Sequence, residues 1–275
     1  MPTFRTYTTG PDDAPAVVFL HGFMGSAADF APVVSKLVDR MGERLRCVRV
    51  DLPGHGSAPL AASTLSMPAL ATQLRGEVLA PLGRPALVGY SMGGRLALQT
   101  ALDHPGAVGE LVLVSTSPGI TDEAARAERR RADRERAARI RADYDAFLDA
   151  WYRLPIFGEL LEAPGHVAML DRRRQNDPES MARTIVEFSP GRQPSNWGRL
   201  DALEAATWLV GADDPKYAAL GDDLAAAGHR VIAAADAAHA LHVERPDWLV
   251  DQIRSIYSSS PCRQVNSSSA GISSF

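Results

Sequence analysis

A serine between glycines in residues 87–95 most constrains how this chain can fold. The stretch reads Leu-Val-Gly-Tyr-Ser-Met-Gly-Gly-Arg, with the serine at position 91. The apolar run before Ser91 predicts a strand, and residues 95–102 after it predict a helix. Small residues at Gly89 and Gly93 let neighbouring backbone approach without a Cβ clash. The pattern therefore predicts a sharp strand-to-helix turn that projects the Ser91 hydroxyl above a sheet.

Apolar runs alternate with helix-forming segments on both sides of this turn. Strands are predicted at residues 16–20, 47–50, 86–88, 111–114, 207–210 and 230–233. Helices are predicted at residues 67–79, 95–102 and 246–257. Alternation of this kind indicates βαβ units and a parallel sheet covered on both faces, so the predicted fold class is α/β.

The alternation stops at Pro118 and Gly119. Residues 121–141 are rich in Ala, Arg and Glu and predict a long polar helix, and aromatic side chains follow between residues 144 and 157. We expect this segment to be a helical lid across the carboxyl edge of the sheet. The predicted organisation is a core of residues 1–117 and 198–257, interrupted by a lid at residues 118–197. The Ser-rich residues 258–275 predict a disordered tail or a cloning remnant.

Charge and cysteine content limit the possible partners and compartment. The net charge of -4 and the pI of about 6.0 argue against a nucleic-acid partner. Cys47 and Cys262 form neither a disulfide framework nor a metal-binding C-x-x-C pattern, which favours the reducing cytoplasm. We find no secretion signal and no apolar run near the ~20 residues of a membrane span. The oligomeric state stays open.

A serine hydroxyl needs a histidine and a carboxylate to become reactive at neutral pH. In hydrolase-type sheets the chain order is serine, acid, histidine. Asp213 and Asp214 follow the predicted strand 207–210, and the next strand leads to His239 and His242. Two further histidines lie in glycine loops and are expected to hold those loops, namely His21 and His55.

Three motifs resemble those of the α/β-hydrolase family. They are Leu-His-Gly-Phe-Met-Gly at residues 20–25, Asp-Leu-Pro-Gly-His-Gly at residues 51–56, and the serine motif at residues 89–95. Within the family, the chain is similar to the carbon–oxygen lyases of menaquinone biosynthesis. That similarity depends on Arg95, on the arginine-rich residues 126–134 and on residues 151–157, which read Trp-Tyr-Arg-Leu-Pro-Ile-Phe. It implies a mostly parallel central sheet with helices on both faces and a helical lid insertion.

The resemblance also implies roles for individual residues. Ser91 becomes the catalytic serine, activated by His239 and Asp214, and serves as a base in pyruvate elimination. His242 becomes a structural neighbour of the base. The backbone amides assigned to an oxyanion hole are those of Phe23 and Met92. The reaction implies no cofactor and no metal.

The substrate implied by the resemblance is a small anionic polycarboxylate. The substrate-binding residues that it assigns are Tyr90, Arg95, Arg129, Trp151 and Arg173. A guanidinium suits this task because it binds a carboxylate through two parallel hydrogen bonds and keeps its charge when partly buried. The arginine near position 173 is known only to within one residue of the run 172–174.

The chain departs from the family pattern at one position, leaves the choice of the acid open, and allows two functions other than the lyase. Ala238 precedes His239 where hydrolases usually have glycine, and Asp213 is an alternative to Asp214 as the acid. The same triad would serve an ester or carbon–carbon bond hydrolase. A non-catalytic ligand receptor on this fold is the third class, and it predicts that Ser91→Ala leaves activity intact.

Overall fold

The computed structural model describes residues 3–60 and 66–258. The predicted tail therefore lies outside the described residues, apart from Ser258 at the end of the last helix. The described residues contain seven strands: β1 Arg5–Thr9, β2 Ala16–Leu20, β3 Arg46–Asp51, β4 Ala86–Tyr90, β5 Leu111–Val114, β6 Ala206–Gly211 and β7 Arg230–Ala234. The six strands that the apolar runs predict are confirmed to within two residues at either end, the largest difference being at β4, which extends to Tyr90.

The strands form one sheet in the order β1-β3-β2-β4-β5-β6-β7. Of these seven strands, β1 pairs antiparallel with its neighbour, and the other five pairs are parallel. The register pairs Leu20 of β2 with Gly89 of β4, and Tyr90 of β4 with Val114 of β5. The carboxyl ends of these strands are thus level, and their loops meet at one edge. This edge is where open α/β sheets bind ligands.

Strand β1 was not predicted. Its sequence, Arg-Thr-Tyr-Thr-Thr, has no apolar run, and its side chains are exposed or half-buried. The strand pairs antiparallel with β3 at the edge of the sheet, with Arg5 opposite Asp51 and Thr9 opposite Cys47. Backbone pairing with β3, rather than burial of its own side chains, accounts for this strand.

Helices cover both faces of the sheet, as predicted. They are α1 Ala31–Met41, α2 Met67–Leu74, α3 Met92–Asp103, α4 Glu123–Ala142, α5 Tyr144–Trp151, α6 His166–Arg174, α7 Pro178–Glu187, α8 Tyr217–Ala226, α9 Leu241–Glu244 and α10 Pro246–Ser258. Strand β2 contributes to two apolar cores, because its side chains alternate between the faces. Val17 and Phe19 lie in one core, and Val18 and Leu20 lie in the other.

Helices α4 to α7 lie between β5 and β6, in the segment predicted as an insertion. The long polar helix α4 begins at Glu123, where the side chain of Asp122 accepts a hydrogen bond from the Ala125 N–H. It packs along α7. We refer to residues 118–197 as the helical insertion. Within the described ranges, no helix combines the length and apolar composition needed to cross a membrane.

Candidate active site

Ser91 lies on the turn between β4 and α3. Its backbone has φ 51° and ψ −109°, a left-handed conformation that is strained for a serine. The turn is held in part by the Ser91 N–H, which donates to the Val114 carbonyl at 2.9 Å. A Cβ at Gly93 would lie 2.5 Å from the Leu20 carbonyl oxygen, and one at Gly89 would lie 2.6 Å from the Gly93 oxygen. Only glycine fits these two positions, which explains the spacing of the motif.

His239 connects Ser91 to a buried carboxylate. Its Nε2 lies 3.1 Å from Ser91 Oγ, and its Nδ1 lies 2.9 Å from Asp214 Oδ2. A carboxylate can only accept, so Nδ1 carries the proton of that bond and Nε2 of the neutral ring is left to accept from Ser91. The other carboxylate oxygen of Asp214 accepts the backbone N–H groups of Lys216 at 2.9 Å and Tyr217 at 3.0 Å.

The pKa of His239 suits a proton acceptor. Burial lowers it below the usual histidine value, because the charged imidazolium loses its hydration, while the Asp214 carboxylate acts in the opposite direction. The net direction is downward, so the ring is neutral near pH 7.

The structure brings Asp214, and not Asp213, into contact with the histidine. Asp214 is fully buried, whereas Asp213 is exposed. The Asp213 N–H donates to the carbonyl of Ala237 at 2.9 Å. Both aspartates follow β6, but only one side chain faces the loop after β7.

Phe23 and Met92 line the same cavity as Ser91. Met92 is the first residue of α3, where a helix leaves its N–H groups without an intrahelical partner. Phe23 lies in the loop after β2. Within residues 3–60 and 66–258, neither N–H has a hydrogen-bond partner. Both are therefore available to an oxygen atom beside Ser91.

A cavity of about 380 Å³ opens above Ser91. Its wall includes every site residue predicted from the sequence except Asp214, which lies behind His239: Phe23, Tyr90, Ser91, Met92, Arg95, Arg129, Trp151, Arg173 and His239. The floor comes from the ends of the strands, and the helical insertion supplies Arg129, Trp151 and Arg173. Residues that are distant in sequence thus form one compartment.

Arg95 lies in the first turns of α3, next to the serine. One nitrogen of its guanidinium donates to the Phe188 carbonyl at 2.9 Å and to the Gln193 side chain. Among the described residues, no carboxylate lies within ion-pair distance of it. Burial lowers the pKa of Arg95 to about 10, and the neighbouring Arg129 acts in the same direction. Arg95 is charged at neutral pH and has no acid partner of its own.

Helix α4 presents two cations around one buried acid. Asp133 is 1% exposed and accepts hydrogen bonds from Arg129 at 2.8 Å and Arg136 at 2.7 Å. The Arg136 guanidinium also lies 5.9 Å from the centre of the Trp151 ring. Sequence reasoning missed Arg136, although residues spaced by three and four share one helix face. Two positive charges and one negative charge leave this wall of the cavity positive.

Arg173 lines the cavity but is paired with an acid from the loop after β2. Its guanidinium donates to both oxygens of Asp29, at 2.8 and 2.6 Å, and to the Tyr152 hydroxyl at 2.9 Å. Burial alone would raise the pKa of Asp29, but the Arg173 charge holds that pKa well below its usual range. Arg172 reaches the same carboxylate at 3.2 Å, and Arg174 is exposed.

Burial lowers the pKa of three further histidines near the site, namely His21, His55 and His242. His21 accepts the Leu52 N–H at 3.0 Å and His55 accepts the Met24 N–H at 3.1 Å, so the prediction that both hold loops is confirmed. His242 lines the cavity, 4.5 Å from the Tyr90 ring centre, and burial lowers its pKa to about 4.

A serine on a strained strand-to-helix turn, with a histidine and a buried aspartate from later loops of a parallel sheet, defines the α/β-hydrolase class. Comparison with known proteins agrees, because the model of the alpha/beta hydrolase family matches residues 17–252. The chain therefore belongs to the alpha/beta hydrolase family.

Within that family, its relatives include 2-succinyl-6-hydroxy-2,4-cyclohexadiene-1-carboxylate synthases. The chain is 35% identical over 255 residues to that synthase from Salmonella schwarzengrund (strain CVM19633), covering 90% of this chain and 95% of the relative. It is 32% identical over 247 residues to the putative synthase of Bacillus subtilis (strain 168), covering 86% and 88%. The solved structure of MenH from S. aureus superimposes with a TM-score of 0.84 at 28% identity, covering 94% of this chain and 99% of that one.

Proposed function

We propose that this chain is a carbon–oxygen lyase that eliminates pyruvate from 2-succinyl-5-enolpyruvyl-6-hydroxy-3-cyclohexene-1-carboxylate. The product is the compound that the names of its relatives carry, and the step belongs to menaquinone biosynthesis. The observation that carries the proposal is the position of Arg95. This guanidinium, without an acid partner among the described residues, lines the same cavity as Ser91 and His239.

The charge of the cavity wall supports an anionic substrate. Arg95 pairs with no carboxylate among the described residues, and Arg129 and Arg136 share the single carboxylate of Asp133. Lys216 adds a further cation at the rim of the cavity. A buried cation without a counter-ion is costly, and a bound carboxylate removes that cost. The fork of a guanidinium matches a carboxylate through two hydrogen bonds. A bound polycarboxylate thus supplies the negative charges that the arginines of the cavity lack, although the chain as a whole has a net charge of -4.

The proposed elimination uses the serine as a base. Ser91 Oγ gives its proton to His239 Nε2, and the resulting alkoxide removes a proton from the substrate ring. The electron pair of the broken C–H bond moves into the ring, and the C–O bond to the enolpyruvyl group breaks. The imidazolium of His239 gives its proton to the leaving enolate, which becomes pyruvate, and both Ser91 and His239 return to their starting forms. No covalent bond forms between Ser91 and the substrate.

Other groups stabilise the charges that this reaction creates. Asp214 faces the imidazolium that forms on His239, which lowers the cost of that charge. The N–H groups of Phe23 and Met92 form the oxyanion hole and donate to the substrate oxygen that gains negative charge. These groups are already in place before the substrate binds, so little reorganisation accompanies the reaction.

The helical insertion acts as the lid in this proposal. It contributes Arg129, Trp151 and Phe157 to the wall of the cavity, so its movement away from the sheet would open the site. Closing over a bound substrate excludes water and strengthens the interactions of the arginines with carboxylates.

A cytoplasmic location and the lack of a nucleic-acid partner belong to the same proposal. Cys47 is a buried free thiol, and burial raises its pKa to about 12, so it has little tendency to oxidise. The acidic net charge of -4 offers phosphate groups no overall attraction.

Incubation of the purified protein with the enolpyruvyl substrate tests the function, with pyruvate followed by lactate dehydrogenase. We expect one pyruvate per substrate molecule consumed, and a loss of at least about 10³-fold in kcat for Ser91→Ala. Ser255→Ala, on the exposed face of α10, is the matched control. Ester turnover without pyruvate release would replace the lyase by a hydrolase. Biological activity that survives Ser91→Ala would point to a ligand receptor.

A further inference from the structure

The backbone around His239 is held by two residues outside its own loop. The N–H groups of Ala238 and Ala240 donate to the two oxygens of the Glu244 carboxylate, each at 2.7 Å. The N–H of His239 itself donates to the carbonyl of Ile156 at 3.1 Å. Three consecutive amides thus have acceptors, and the middle acceptor belongs to the helical insertion.

This arrangement needs a carboxylate at position 244. Glu244 takes both flanking amides because each carboxylate oxygen accepts hydrogen bonds, whereas an amide side chain has one acceptor oxygen and one donor group. Burial raises the pKa of Glu244, and the amides of Ala238 and Ala240 counteract that shift by stabilising its charged form. The carboxylate and the two amides are therefore matched to each other.

The backbone geometry at this loop matters because the ring of His239 makes two contacts at once. Nδ1 faces Asp214 and Nε2 faces Ser91, at 2.9 and 3.1 Å, and both distances depend on where the loop places the Cα atom. The loop lies between β7 and α9 and has no regular secondary structure of its own. The insertion adds an edge contact, since the Phe157 ring lies 5.5 Å from the imidazole centre at 85°.

We propose that Glu244 is a positioning residue that sets His239 between Ser91 and Asp214, jointly with the Ile156 carbonyl of the insertion. Glu244 touches no reacting atom and acts through the backbone of the base. Because His239 is the base of the lyase proposed above, the inference rests on that function for its kinetic consequence. The placement of His239 between Ser91 and Asp214 does not depend on which reaction the triad catalyses. The acceptor from the insertion makes the placement of the base depend on the position of the lid.

The test is Glu244→Gln, which keeps the size of the side chain and replaces one acceptor oxygen by a donor. We expect kcat for pyruvate release to fall at least about tenfold, while KM changes less than about threefold, because substrate contacts are untouched. Glu179→Gln is the matched control, since Glu179 is exposed on α7 and pairs with Arg141. We expect the control to leave both constants unchanged.

A second readout separates this inference from the proposed function. The rate at which a fluorophosphonate labels Ser91 depends on the triad and needs no lyase substrate, and it should fall in parallel for Glu244→Gln. If the wild type releases no pyruvate but Glu244→Gln still slows labelling, the lyase proposal fails and the positioning role stands. Labelling and kcat within twofold of wild type would overturn the positioning role.

Glu244→Asp decides the case in which Glu244→Gln does not fold. The shorter side chain keeps the charge but cannot reach both amides, so we expect a loss of at least about threefold in kcat at constant KM. A wild-type kcat in this variant would overturn the proposal. So would a rise in KM as large as the fall in kcat, because that would indicate general loosening of the site.

Discussion

The guanidinium of Arg173 donates one hydrogen bond to each carboxylate oxygen of Asp29, at 2.8 and 2.6 Å. The pair joins helix α6 of the insertion to the loop after β2, and both side chains are almost fully buried. An arginine that the family resemblance assigns to substrate binding is thus already neutralised by Asp29. The positive charge available to a substrate comes from Arg95 and from the group of Arg129, Arg136 and Asp133.

Asp29→Asn should destabilise the protein strongly. The substitution leaves the Arg173 charge buried without its partner, and breaking a buried pair in this way costs about 3–5 kcal/mol. Urea unfolding at pH 7 measures the change in free energy. Asp39→Asn, on the exposed side of α1, is the control and should stay within about 0.5 kcal/mol of wild type. A cost below about 1 kcal/mol for Asp29→Asn would contradict the role of the pair.

The contribution of Asp29 should also depend on pH. Arg173 lowers the pKa of Asp29 in the folded state relative to about 4 in the unfolded chain, despite the opposing effect of burial. The stabilisation is then complete above the unfolded-state pKa and is lost as the pH falls towards the folded-state pKa. We expect the stability difference between wild type and Asp29→Asn to shrink between about pH 5 and pH 3. A difference that stays constant over this range would contradict the linkage.

Arg95→Ala should impair catalysis far more than folding. Loss of the guanidinium leaves a substrate carboxylate without its partner, at a cost of about 2–4 kcal/mol, which corresponds to about 30- to 1,000-fold in kcat/KM. Steady-state kinetics of pyruvate release measure it, with Arg131→Ala on the exposed face of α4 as the control. An effect below tenfold would remove Arg95 from the binding site.

The pH dependence of kcat/KM should report the neutral form of His239. Burial lowers its pKa below 6.5 despite the Asp214 carboxylate, and only the neutral ring accepts the Ser91 proton. Activity should rise with pH through a midpoint below 6.5, after correction for the separately titrated substrate. A midpoint at or above the usual histidine value would mean that the carboxylate outweighs burial.

Gly158 and Ala238 should behave as a coupled pair. Gly158 has φ 48°, and a Cβ there would lie 2.9 Å from the Ala238 Cβ. Gly158→Ala should cost about 1–2 kcal/mol from its left-handed backbone alone, with the contact in addition. Ala238→Gly should recover the contact portion in the double variant. Urea unfolding of the wild type, the two single variants and the double variant measures the coupling free energy. Strictly additive effects would show that the two residues do not interact.

The same pair explains why alanine is tolerated before the histidine. The backbone at Ala238 is outside the left-handed region, so it does not require the glycine that hydrolases usually have there. The close approach that excludes a larger side chain occurs instead at Gly158, in the insertion. The departure noticed in the sequence therefore has a structural counterpart 80 residues away.

Local patterns account for most of what the sequence predicts correctly. Apolar runs mark six of the seven described strands. Strands covered on both faces must carry apolar side chains, and the edge strand β7 keeps an apolar run although only its Ala234 is buried. The glycines on either side of Ser91 predict the turn because no other residue fits at their positions. Strand β1 was not predicted because its stability comes from pairing with β3. Arg136 was not predicted because nothing in the sequence distinguishes it from the other arginines of α4, and only its contact with the buried Asp133 does so.

The sequence by itself thus determined the fold class, the strand-to-helix turn at Ser91 and the set of residues from which a triad could form, since these follow from local chemistry along the chain. Only the tertiary structure decided which charges are paired. Asp29 and Arg173 are 144 residues apart, and their contact is set by how the insertion packs on the sheet. Whether an arginine is free to hold a substrate depends on such long-range neighbours, and spacing along the chain does not encode it.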